Sequence, residues 1–280
     1  MRPEQPARVL RSEKHLRAAH ADWTWRIPDA THAGDDVLGL AHAPAHLKRL
    51  GQPRDFDADT PFFPGIGDHA RRAVAAAVEA ARHALGKKTP VFSLMRPPGH
   101  HATSTQAMGF CYLNQIAIAA LFAQRHLGAA RVAVWDFDAH HGNGTEAILH
   151  GREGVFFASV HQHPGYPGTG TQDLGKHTRN WPVAPRTPRE KHMAALRASL
   201  DAVIAFQPDL ILASAGFDAY ARDPITSMTL ETEDFATLGR WLAETRARHG
   251  HPAAALLEGG YHDDLPLLID AFLTAWNMPA

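Results

Sequence analysis

From about residue 90 onward, short apolar segments alternate with longer amphipathic ones, and this alternation limits the possible folds more than any other feature. The apolar segments have the length and composition of buried strands. We predict strands over 90–95, 131–136, 154–160, 208–214 and 252–257. Because strands that alternate with helices form parallel sheets, the sequence predicts an α/β fold with a mainly parallel sheet and helices on both faces. We expect one domain over residues 1–280.

Helices are predicted between these strands and before the first of them. The periodic segments that follow the strands predict helices over 112–126, 140–150, 188–206, 231–249 and 264–276. Longer stretches without periodicity, such as 161–185, are predicted loops. Before residue 90, prolines divide the chain into short pieces, and an alanine-rich segment ends at Gly86. We predict helices there over 7–19, 43–50 and 67–85.

The composition excludes several classes of function. The 28 basic and 29 acidic residues give a formal net charge of −1, so there is no electrostatic reason to expect nucleic acid or an anionic membrane as a partner. No apolar run is long enough to span a bilayer, and the first 19 residues lack the apolar core of a signal peptide. A single cysteine, Cys111, excludes an intrachain disulfide and multi-cysteine zinc sites. We expect a cytoplasmic protein whose metal ligands, if any, are His, Asp or Glu.

The loops that follow the predicted strands carry polar and aromatic groups. Open α/β sheets bind their ligands beyond the carboxyl ends of the strands, so an active site is expected at the C-terminal ends of these strands. Five such loops contain histidine, aspartate or tyrosine side chains. They are Arg96–Ala102, Asp136–Thr145, His161–Gly170, Ala215–Tyr220 and Glu258–His262.

Asp138, His140 and Asp218 form a candidate zinc site. An apolar run ends in Asp136, and residues of an extended strand alternate between two faces, so Asp138 and His140 could share one cation. Asp218 follows a second apolar strand. Three protein ligands leave one coordination position open, as in catalytic rather than structural zinc sites.

Three further side chains would supply acid–base chemistry beside such a metal. A bound Zn2+ lowers the pKa of water and polarises a carbonyl group. His100 and His101 can take up and return a proton, because imidazole titrates near neutral pH. Tyr261 follows two glycines and can donate its hydroxyl to a developing oxyanion. These groups together are suited to the hydrolysis of an amide.

Six sequence blocks follow one another in the order and spacing of a known family. They are Arg96–Ala102, Gly109–Asn114, Asp136–Gly144, Tyr166–Gly170, Ala215–Asp218 and Glu258–Tyr261. These blocks strongly resemble the zinc-dependent histone deacetylase family, in its class II-like bacterial branch. The resemblance is loose before about residue 59 and close after it. It implies an arginase/deacetylase-like fold and a zinc-dependent amidohydrolase that acts on linear amides.

The resemblance also implies roles for the metal ligands and for the acid–base groups. Asp138, His140 and Asp218 would bind one catalytic Zn2+, and His101 would be the general base. A structural K+ is implied as well. Its ligands would be the side chains of Asp136 and Ser159, with the backbone of Asp138, His140 and Val160.

His100 is similar to the family's buried electrostatic partner, hydrogen-bonded to Asp136. His101 would pair with Asn143, where class I relatives have an aspartate. A neutral amide orients the ring without raising its pKa, so we expect His101 to be a neutral base near pH 7. Tyr261 matches the tyrosine that stabilises the transition state, and its presence favours a working enzyme.

The resemblance places a substrate channel at Gly109, Phe110 and Tyr166. Without the motifs, two core aromatics would be the preferred interpretation of Phe110 and Tyr166. Asp59 stands where relatives use an aspartate to grip the substrate backbone, although a plain turn residue is an equal alternative. Polyamine-selective relatives have a glutamate at the position of Ile225, and an apolar residue there gives no attraction to a cationic tail.

Two departures from related patterns carry expectations. Arginase-like enzymes need carboxylates two residues after His140 and Asp218, but Gly142 and Tyr220 occupy those positions, so one metal is favoured over two. Relatives have a strand before a segment like His-Pro-Glu-x-Pro, and this chain begins directly at the matching segment Arg2–Arg8, with arginine in the place of the histidine. We therefore expect the first strand to be missing, either because the start is truncated or because the sheet is one strand short. An exposed sheet edge would then result, which could support a homo-oligomer.

Three functions remain open on the sequence alone. The first is a deacetylase that acts on N-ε-acetyl-lysine in proteins or peptides. The second is an amidohydrolase for a small acylated amine such as an acetylpolyamine. The third is a silent acyl-lysine binding module, which the presence of His100, His101 and Tyr261 disfavours.

Overall fold

A computed structural model describes residues 2–278 and contains one six-stranded sheet. Its strands are β1 (Val91–Ser93), β2 (Val132–Asp136), β3 (Val155–Gln162), β4 (Thr178–Val183), β5 (Leu210–Ala215) and β6 (Ala253–Leu257). All neighbouring strands are parallel, in the order β1-β6-β5-β2-β3-β4. The predicted α/β fold with a mainly parallel sheet is therefore confirmed.

Strand β4 corrects the prediction of one long loop over 161–185. It pairs with β3 from Phe157 opposite Thr178 to Gln162 opposite Val183. The segment has few apolar residues in sequence and contains Pro182, and a proline argues against a central strand. β4 lies at the edge of the sheet, where one side of its backbone needs no partner strand. The sequence of β4 therefore lacks the apolar run by which the buried strands were predicted.

Ten helices accompany the sheet within residues 2–278. They are α1 (Pro6–Ala19), a 3₁₀ helix (Ala30–Ala33), α2 (Asp35–Leu38), α3 (Pro44–Arg49), α4 (Ile66–Lys87), α5 (Gln115–His126), α6 (Asn143–Leu149), α7 (Arg189–Ala205), α8 (Thr232–His249) and α9 (Leu265–Asn277). The 3₁₀ helix and α2 were not predicted. The helix predicted from residue 112 begins at Gln115, because the Asn114 side chain accepts a hydrogen bond from Ala117 N and caps it.

The helix predicted over 140–150 begins at Asn143 instead, so His140 lies in the loop between β2 and α6. In that loop the backbone N–H of His140 donates to the Asp138 side chain, with an N–O distance of 2.9 Å. The backbone N–H of Asp138 donates to the Asp136 side chain at 3.1 Å. These side-chain hydrogen bonds compete with helix formation and hold the loop in a turn.

Alternate residues of β2 face two separate hydrophobic cores. Val132 and Val134 lie in one core with α4 and α5, whereas Ala133 and Trp135 lie in the other with α7, α8 and α9. Trp135 also donates its indole N–H to the Ser199 hydroxyl at 2.9 Å. Burying a large apolar side chain contributes about 1.5–3 kcal/mol, so both faces stabilise the central strand.

At its N-terminal end, the described part of the chain begins with helix α1, which packs on α9. β1 forms the sheet edge beside β6, and no strand pairs with its other side within residues 2–278. The absence of the family's first strand remains a prediction. In the same range, none of the helices has the combined length and apolar character that a membrane crossing requires.

Candidate active site

Adjacent strands bring the three predicted zinc ligands together. Asp138 and His140 follow β2, and Asp218 follows β5, which pairs with β2. One ligand atom from each of these three residues lies within 4.8 Å of the others. The sequence separation of about 80 residues is thus closed by strand pairing at the C-terminal edge of the sheet.

The atoms of this cluster suit a divalent cation. Nδ1 of His140 lies 2.7 Å from Oδ2 of Asp218 and 3.2 Å from Oδ1 of Asp138. The other oxygen of Asp218 accepts the Ala139 N–H at 2.8 Å, which orients the carboxylate. Oδ2 of Asp218 is buried and has no hydrogen bond in suitable geometry. Two carboxylates and one imidazole, with one buried oxygen that lacks a hydrogen bond, are ligand types that fit a zinc ion.

The electrostatics of the cluster also favour a cation. Burial and the neighbouring charge of Asp138 raise the pKa of Asp218. Burial would lower the pKa of His140, but Asp218 and Asp138 raise it well above its usual value. Two carboxylates buried side by side repel each other unless positive charge lies between them. A bound metal ion would supply that charge.

Gly259 lets the loop after β6 approach the cluster closely. A Cβ atom there would lie 2.5 Å from Oδ2 of Asp218 and 2.7 Å from Oδ2 of Asp138, which is too close for any side chain. The backbone N–H of Gly259 donates to Oδ2 of Asp138 at 2.7 Å. The glycine therefore fixes the orientation of one predicted ligand by its main chain.

His100 and His101 lie side by side beside the cluster, with ring centroids 4.1 Å apart. Nδ1 of His100 lies 3.0 Å from Oδ2 of Asp136, and Nδ1 of His101 lies 2.8 Å from Oδ1 of Asn143. Each histidine thus has the partner that the sequence predicted. Both rings are buried, so these partners determine which ring nitrogen is free.

The two histidines differ in charge. Burial would lower the pKa of His100, but the carboxylates of Asp138 and Asp136 raise it to about 10. Burial lowers the pKa of His101 well below its ordinary value, and the neighbouring His100 and His140 rings add to this effect. His101 is therefore neutral near pH 7 and can accept a proton, whereas His100 holds one.

Aromatic rings line the approach to the cluster. The ring of Tyr166 lies 5.1 Å from that of His101, and the ring of Phe110 lies 5.8 Å from that of Tyr261. Gly109 has a φ of 56°, and a Cβ atom there would lie 2.6 Å from the His101 ring and 2.9 Å from the Tyr166 ring. Only glycine fits between these two rings.

Tyr166 and Ile225 are 40% and 38% exposed, so they lie at the surface. Asp59 is also exposed, and its backbone N–H donates to the Asp57 side chain at 2.9 Å. The neighbouring Thr60 hydroxyl accepts the N–H of Phe110 at 3.1 Å. The loop that carries Asp59 therefore contacts the backbone of Phe110, while Asp59 itself has the geometry of a turn residue.

The domain model of the histone deacetylase domain matches residues 2–274, which is nearly the whole chain. The chain belongs to the histone deacetylase family. This membership agrees with the resemblance seen in the six sequence blocks. It also makes the protein a hydrolase of the deacetylase and amidohydrolase group.

Two named relatives of this histone deacetylase family member support the assignment. A probable deacetylase of Methanothermobacter thermautotrophicus is 38% identical over 266 residues, covering 90% of this chain and 79% of its own. A histone deacetylase-like amidohydrolase of Pseudomonas aeruginosa is 36% identical over 277 residues, covering 93% of this chain and 72% of its own.

Solved structures of the family share the fold. The HD domain of HDA15 superposes with a TM-score of 0.88 and 28% identity, covering 98% of this chain and 84% of that one. An acetylpolyamine aminohydrolase from Burkholderia pseudomallei superposes with a TM-score of 0.85 and 27% identity, covering 99% and 91%. The predicted arginase/deacetylase-like architecture of this histone deacetylase family member is therefore confirmed.

The residues predicted for potassium lie on adjacent strands of the sheet. Asp136 at the end of β2 stands opposite Ser159 of β3. The Ser159 hydroxyl lies 2.9 Å from Nδ1 of His161, and Val160 is the next residue of the strand. The structure therefore brings Asp136 and Ser159 together beside the loop that carries Asp138 and His140.

Sequence reasoning missed Arg8 and Asp223. Arg8 is buried and donates to the carbonyl oxygens of Gly260 at 2.7 Å and Glu258 at 2.6 Å. Its guanidinium carbon lies 4.6 Å from the centroid of the Tyr261 ring. Asp223 accepts the backbone N–H of Tyr261 at 2.7 Å. No local pattern marks either residue, because each acts on a distant loop.

The sequence pattern also indicated no role for Glu258, although it directly follows the buried strand β6. It is fully buried, and burial raises its pKa to about 7. Its side chain, that of His100 and that of Cys111 lie close enough together to be considered as a second metal group. Oε2 of Glu258 already accepts two backbone N–H groups, and His100 is paired with Asp136. Hydrogen bonds within the protein therefore account for the side chains of Glu258 and His100, and no metal ion is needed to explain this group.

Proposed function

We propose that the protein hydrolyses acyl amides, with N-ε-acetyl-lysine in proteins or peptides as the principal substrate class. The observation that carries this proposal is a neutral, buried His101 that lies beside a cluster of two carboxylates and one imidazole and has the ring of Tyr166 5.1 Å from its own. The rings of Phe110 and Tyr166 would flank the extended aliphatic stem of an acylated lysine. The family assignment supports the same class of reaction.

Asp138, His140 and Asp218 would hold a single Zn2+. When bound, the metal would polarise the acyl carbonyl and lower the pKa of water. His101 would act as the general base through Nε2, because its Nδ1 faces Asn143. The same nitrogen would return the proton to the amine as it leaves. Asn143 keeps the ring oriented without adding a negative charge.

Tyr261 would donate its hydroxyl to the oxyanion that develops on the substrate. Burial raises the pKa of Tyr261 well above its ordinary value, so the hydroxyl keeps its proton at neutral pH. His100, positively charged through Asp136 and Asp138, would add electrostatic stabilisation near the same negative charge. These two groups are preorganised, since their loops are fixed by buried hydrogen bonds.

We also propose that K+ binds at Asp136, Ser159 and Val160, with the backbone of Asp138 and His140. Asp136 lies next to Ser159 and accepts the N–H of Asp138, so an ion there would support the loop that carries two zinc ligands. Asp136 would then serve both His100 and the ion. Exchange of potassium for a larger organic cation in the buffer should lower turnover without releasing zinc.

A small acylated amine, such as an acetylpolyamine, is the second candidate substrate. One of the similar structures is an acetylpolyamine aminohydrolase. In this chain, burial raises the pKa of Tyr166, and the nearby carboxylates of Asp57 and Asp59 raise it further. Those carboxylates would attract a cationic tail at the mouth of the channel. Ile225, which is apolar and exposed, provides no such attraction.

The deciding experiment combines zinc analysis with a substrate panel. The purified protein would be assayed with an acetyl-lysine peptide, acetylputrescine and longer acyl-lysine peptides, at a measured zinc content. We expect about one zinc per chain and the highest kcat/KM for the acetyl-lysine peptide. The His101→Ala variant should keep the zinc and lose turnover.

Two other outcomes of this experiment would change the proposed function. A higher kcat/KM for acetylputrescine would favour the small-amine function instead. A zinc-loaded protein that binds acetyl-lysine peptides but hydrolyses no acyl amide would indicate a binding module and contradict the proposed reaction.

A further inference from the structure

The carboxylate of Glu258 joins two loops that the proposed reaction must keep in a fixed relation. Glu258 follows β6 directly and is fully buried. Its Oε2 accepts the backbone N–H of Gly99 at 2.7 Å and that of His100 at 3.2 Å. The side chain therefore reaches from the loop of Tyr261 to the loop of the two histidines.

The backbone around Glu258 is tied to the metal-ligand loops. Its N–H donates to the carbonyl of Ala215 at 2.9 Å, and its own carbonyl accepts from Arg8. The next residue, Gly259, donates to Asp138. Because the main chain at Glu258 and Gly259 is fixed by these hydrogen bonds, the side chain of Glu258 can hold the histidine loop at a fixed distance.

Within residues 2–278, the two hydrogen bonds of Glu258 are the only side-chain hydrogen bonds between segments 96–102 and 258–262. The general base stands on the first segment, and the oxyanion donor stands on the second. Catalysis requires these groups to be placed to within fractions of an ångström, and an error of 1 Å can cost about 10²-fold in rate. The hydrogen bonds of Glu258 between the two segments would set the position of the histidines relative to Tyr261.

We propose that Glu258 is a positioning residue that sets His100 and His101 relative to Tyr261 through the reach of its hydrogen bonds rather than through its charge. One oxygen accepts both amide N–H groups, and the other lies 3.3 Å from the Ser214 hydroxyl. A glutamine can make all of these contacts, since its amide nitrogen can donate to Ser214. The inference rests on the proposed function for its catalytic consequence.

The reach and the charge of Glu258 can be separated by two substitutions. Glu258→Gln keeps the length of the side chain and removes the charge. Glu258→Asp keeps the charge but shortens the side chain by one carbon–carbon bond, about 1.5 Å, which takes the carboxylate out of hydrogen-bonding range. Glu258→Leu removes both properties and serves as the full-loss variant.

The first measurement is steady-state kinetics on an acetyl-lysine peptide, with the zinc content of each variant determined. We expect Glu258→Gln to keep kcat within about threefold of the parent protein. We expect Glu258→Asp and Glu258→Leu to lower kcat by roughly 10²-fold, with KM and zinc content nearly unchanged. A group that merely stabilised the fold would not give this split between kcat and KM, nor rescue by glutamine.

The second measurement is amide hydrogen exchange over the peptide 97–103, which needs no catalytic activity. Protection of the Gly99 and His100 amides should persist in Glu258→Gln and fall at least tenfold in Glu258→Asp. Glu79→Asp is a matched control, because Oε1 of Glu79 also accepts a backbone N–H, from Asp29 at 2.7 Å. This control should leave both exchange and kcat unchanged.

The inference is overturned if Glu258→Asp keeps protection and turnover while Glu258→Gln loses them, since charge would then be the operative property. It is also overturned if all variants behave like the parent protein. Should Glu258→Leu fail to fold, the comparison of glutamine with aspartate decides alone. A parent protein that hydrolyses no acyl amide would refute the proposed function. The exchange experiment would still test whether the hydrogen bonds of Glu258 hold the histidine loop.

Discussion

Tyr261 contacts an aromatic ring, a guanidinium group and a carboxylate. The ring of Phe110 lies 5.8 Å away, the guanidinium carbon of Arg8 lies 4.6 Å from the ring centroid, and Asp223 accepts the backbone N–H of Tyr261. Cation–π attraction to Arg8 keeps the ring in place without using its hydroxyl. The hydroxyl therefore stays available for a substrate oxygen.

Replacing Tyr261 with phenylalanine should leave zinc bound and lower kcat by roughly 10²- to 10³-fold, because one oxyanion donor is lost. The ring contacts with Phe110 and Arg8 remain, so the binding of a hydroxamate inhibitor to the metal and channel should weaken far less than turnover. Kinetics, zinc analysis and inhibitor titration on the same preparation would measure this difference.

Tyr220→Phe provides the control for that experiment. Tyr220 is a buried tyrosine whose hydroxyl donates to Asp264 at 2.9 Å at the start of α9. Loss of that hydroxyl should reduce stability by about 1 kcal/mol and spare kcat. Equal loss of kcat in both variants would argue against a specific role for Tyr261.

The residues that could be predicted are those that stand in compact motifs. Asp138, His140 and Asn143 lie within seven positions after a recognisable strand, so residue type and spacing were informative. Arg8 could not be found in this way, because its contact with the Glu258 carbonyl joins residues 250 positions apart. Such a contact depends on how α1 packs on the end of the sheet, which no local pattern encodes.

Among the elements, prediction succeeded where the burial pattern was regular. β2 and β5 are buried along their full length, and each begins with four consecutive apolar residues in the sequence. β4 has a mixture of buried and more exposed residues and contains a proline, so its sequence predicted a loop. Edge strands satisfy fewer constraints than central ones, and their sequences are correspondingly less distinctive.

Helix α7 carries a pH-sensitive element at His192. The side chain is buried, its Nδ1 has no hydrogen-bond partner among residues 2–278, and burial lowers its pKa to about 4. An unfolded histidine has a pKa of about 6.5, so below that pH the unfolded chain binds a proton that the folded chain excludes. Stability is therefore lost as the pH falls from about 6.5 toward about 4.

The His192→Met variant should remove this loss while keeping a similar buried volume. Between pH 7 and pH 5 its free energy of unfolding should fall by about 2 kcal/mol less than that of the parent protein. Urea unfolding followed by circular dichroism at the two pH values would measure the difference. Leu196→Met, at another buried position of α7, controls for repacking and should retain the parent's pH dependence.

At the scale of the whole molecule, the proposed metal would connect elements that approach one another only at the end of the sheet. Asp138 and His140 lie on the loop after β2, and Asp218 lies on the loop after β5. Around them, the backbone N–H groups of Ala139 and Gly259 donate to the two carboxylates. Without a metal ion, the positive charge of His140 alone would have to offset the buried carboxylates of Asp138 and Asp218.

Removing the metal should therefore destabilise the complete fold. A ligand that binds only the folded state stabilises it by about 4 kcal/mol when its free concentration is 1,000 times Kd. For a chain of 280 residues, a loss of that size corresponds to a fall in Tm on the order of 10 °C. Thermal unfolding with a chelator, and again after zinc is restored, would measure the change.

The Asp218→Asn variant tests whether this response depends on the proposed ligands. It removes one buried charge together with the partner of His140, so its Tm without zinc serves as its own baseline. Because it also removes a charged ligand, added zinc should raise its Tm by much less. A parent protein whose Tm is unaffected by chelation, or a variant that responds to zinc as fully as the parent, would place the metal elsewhere.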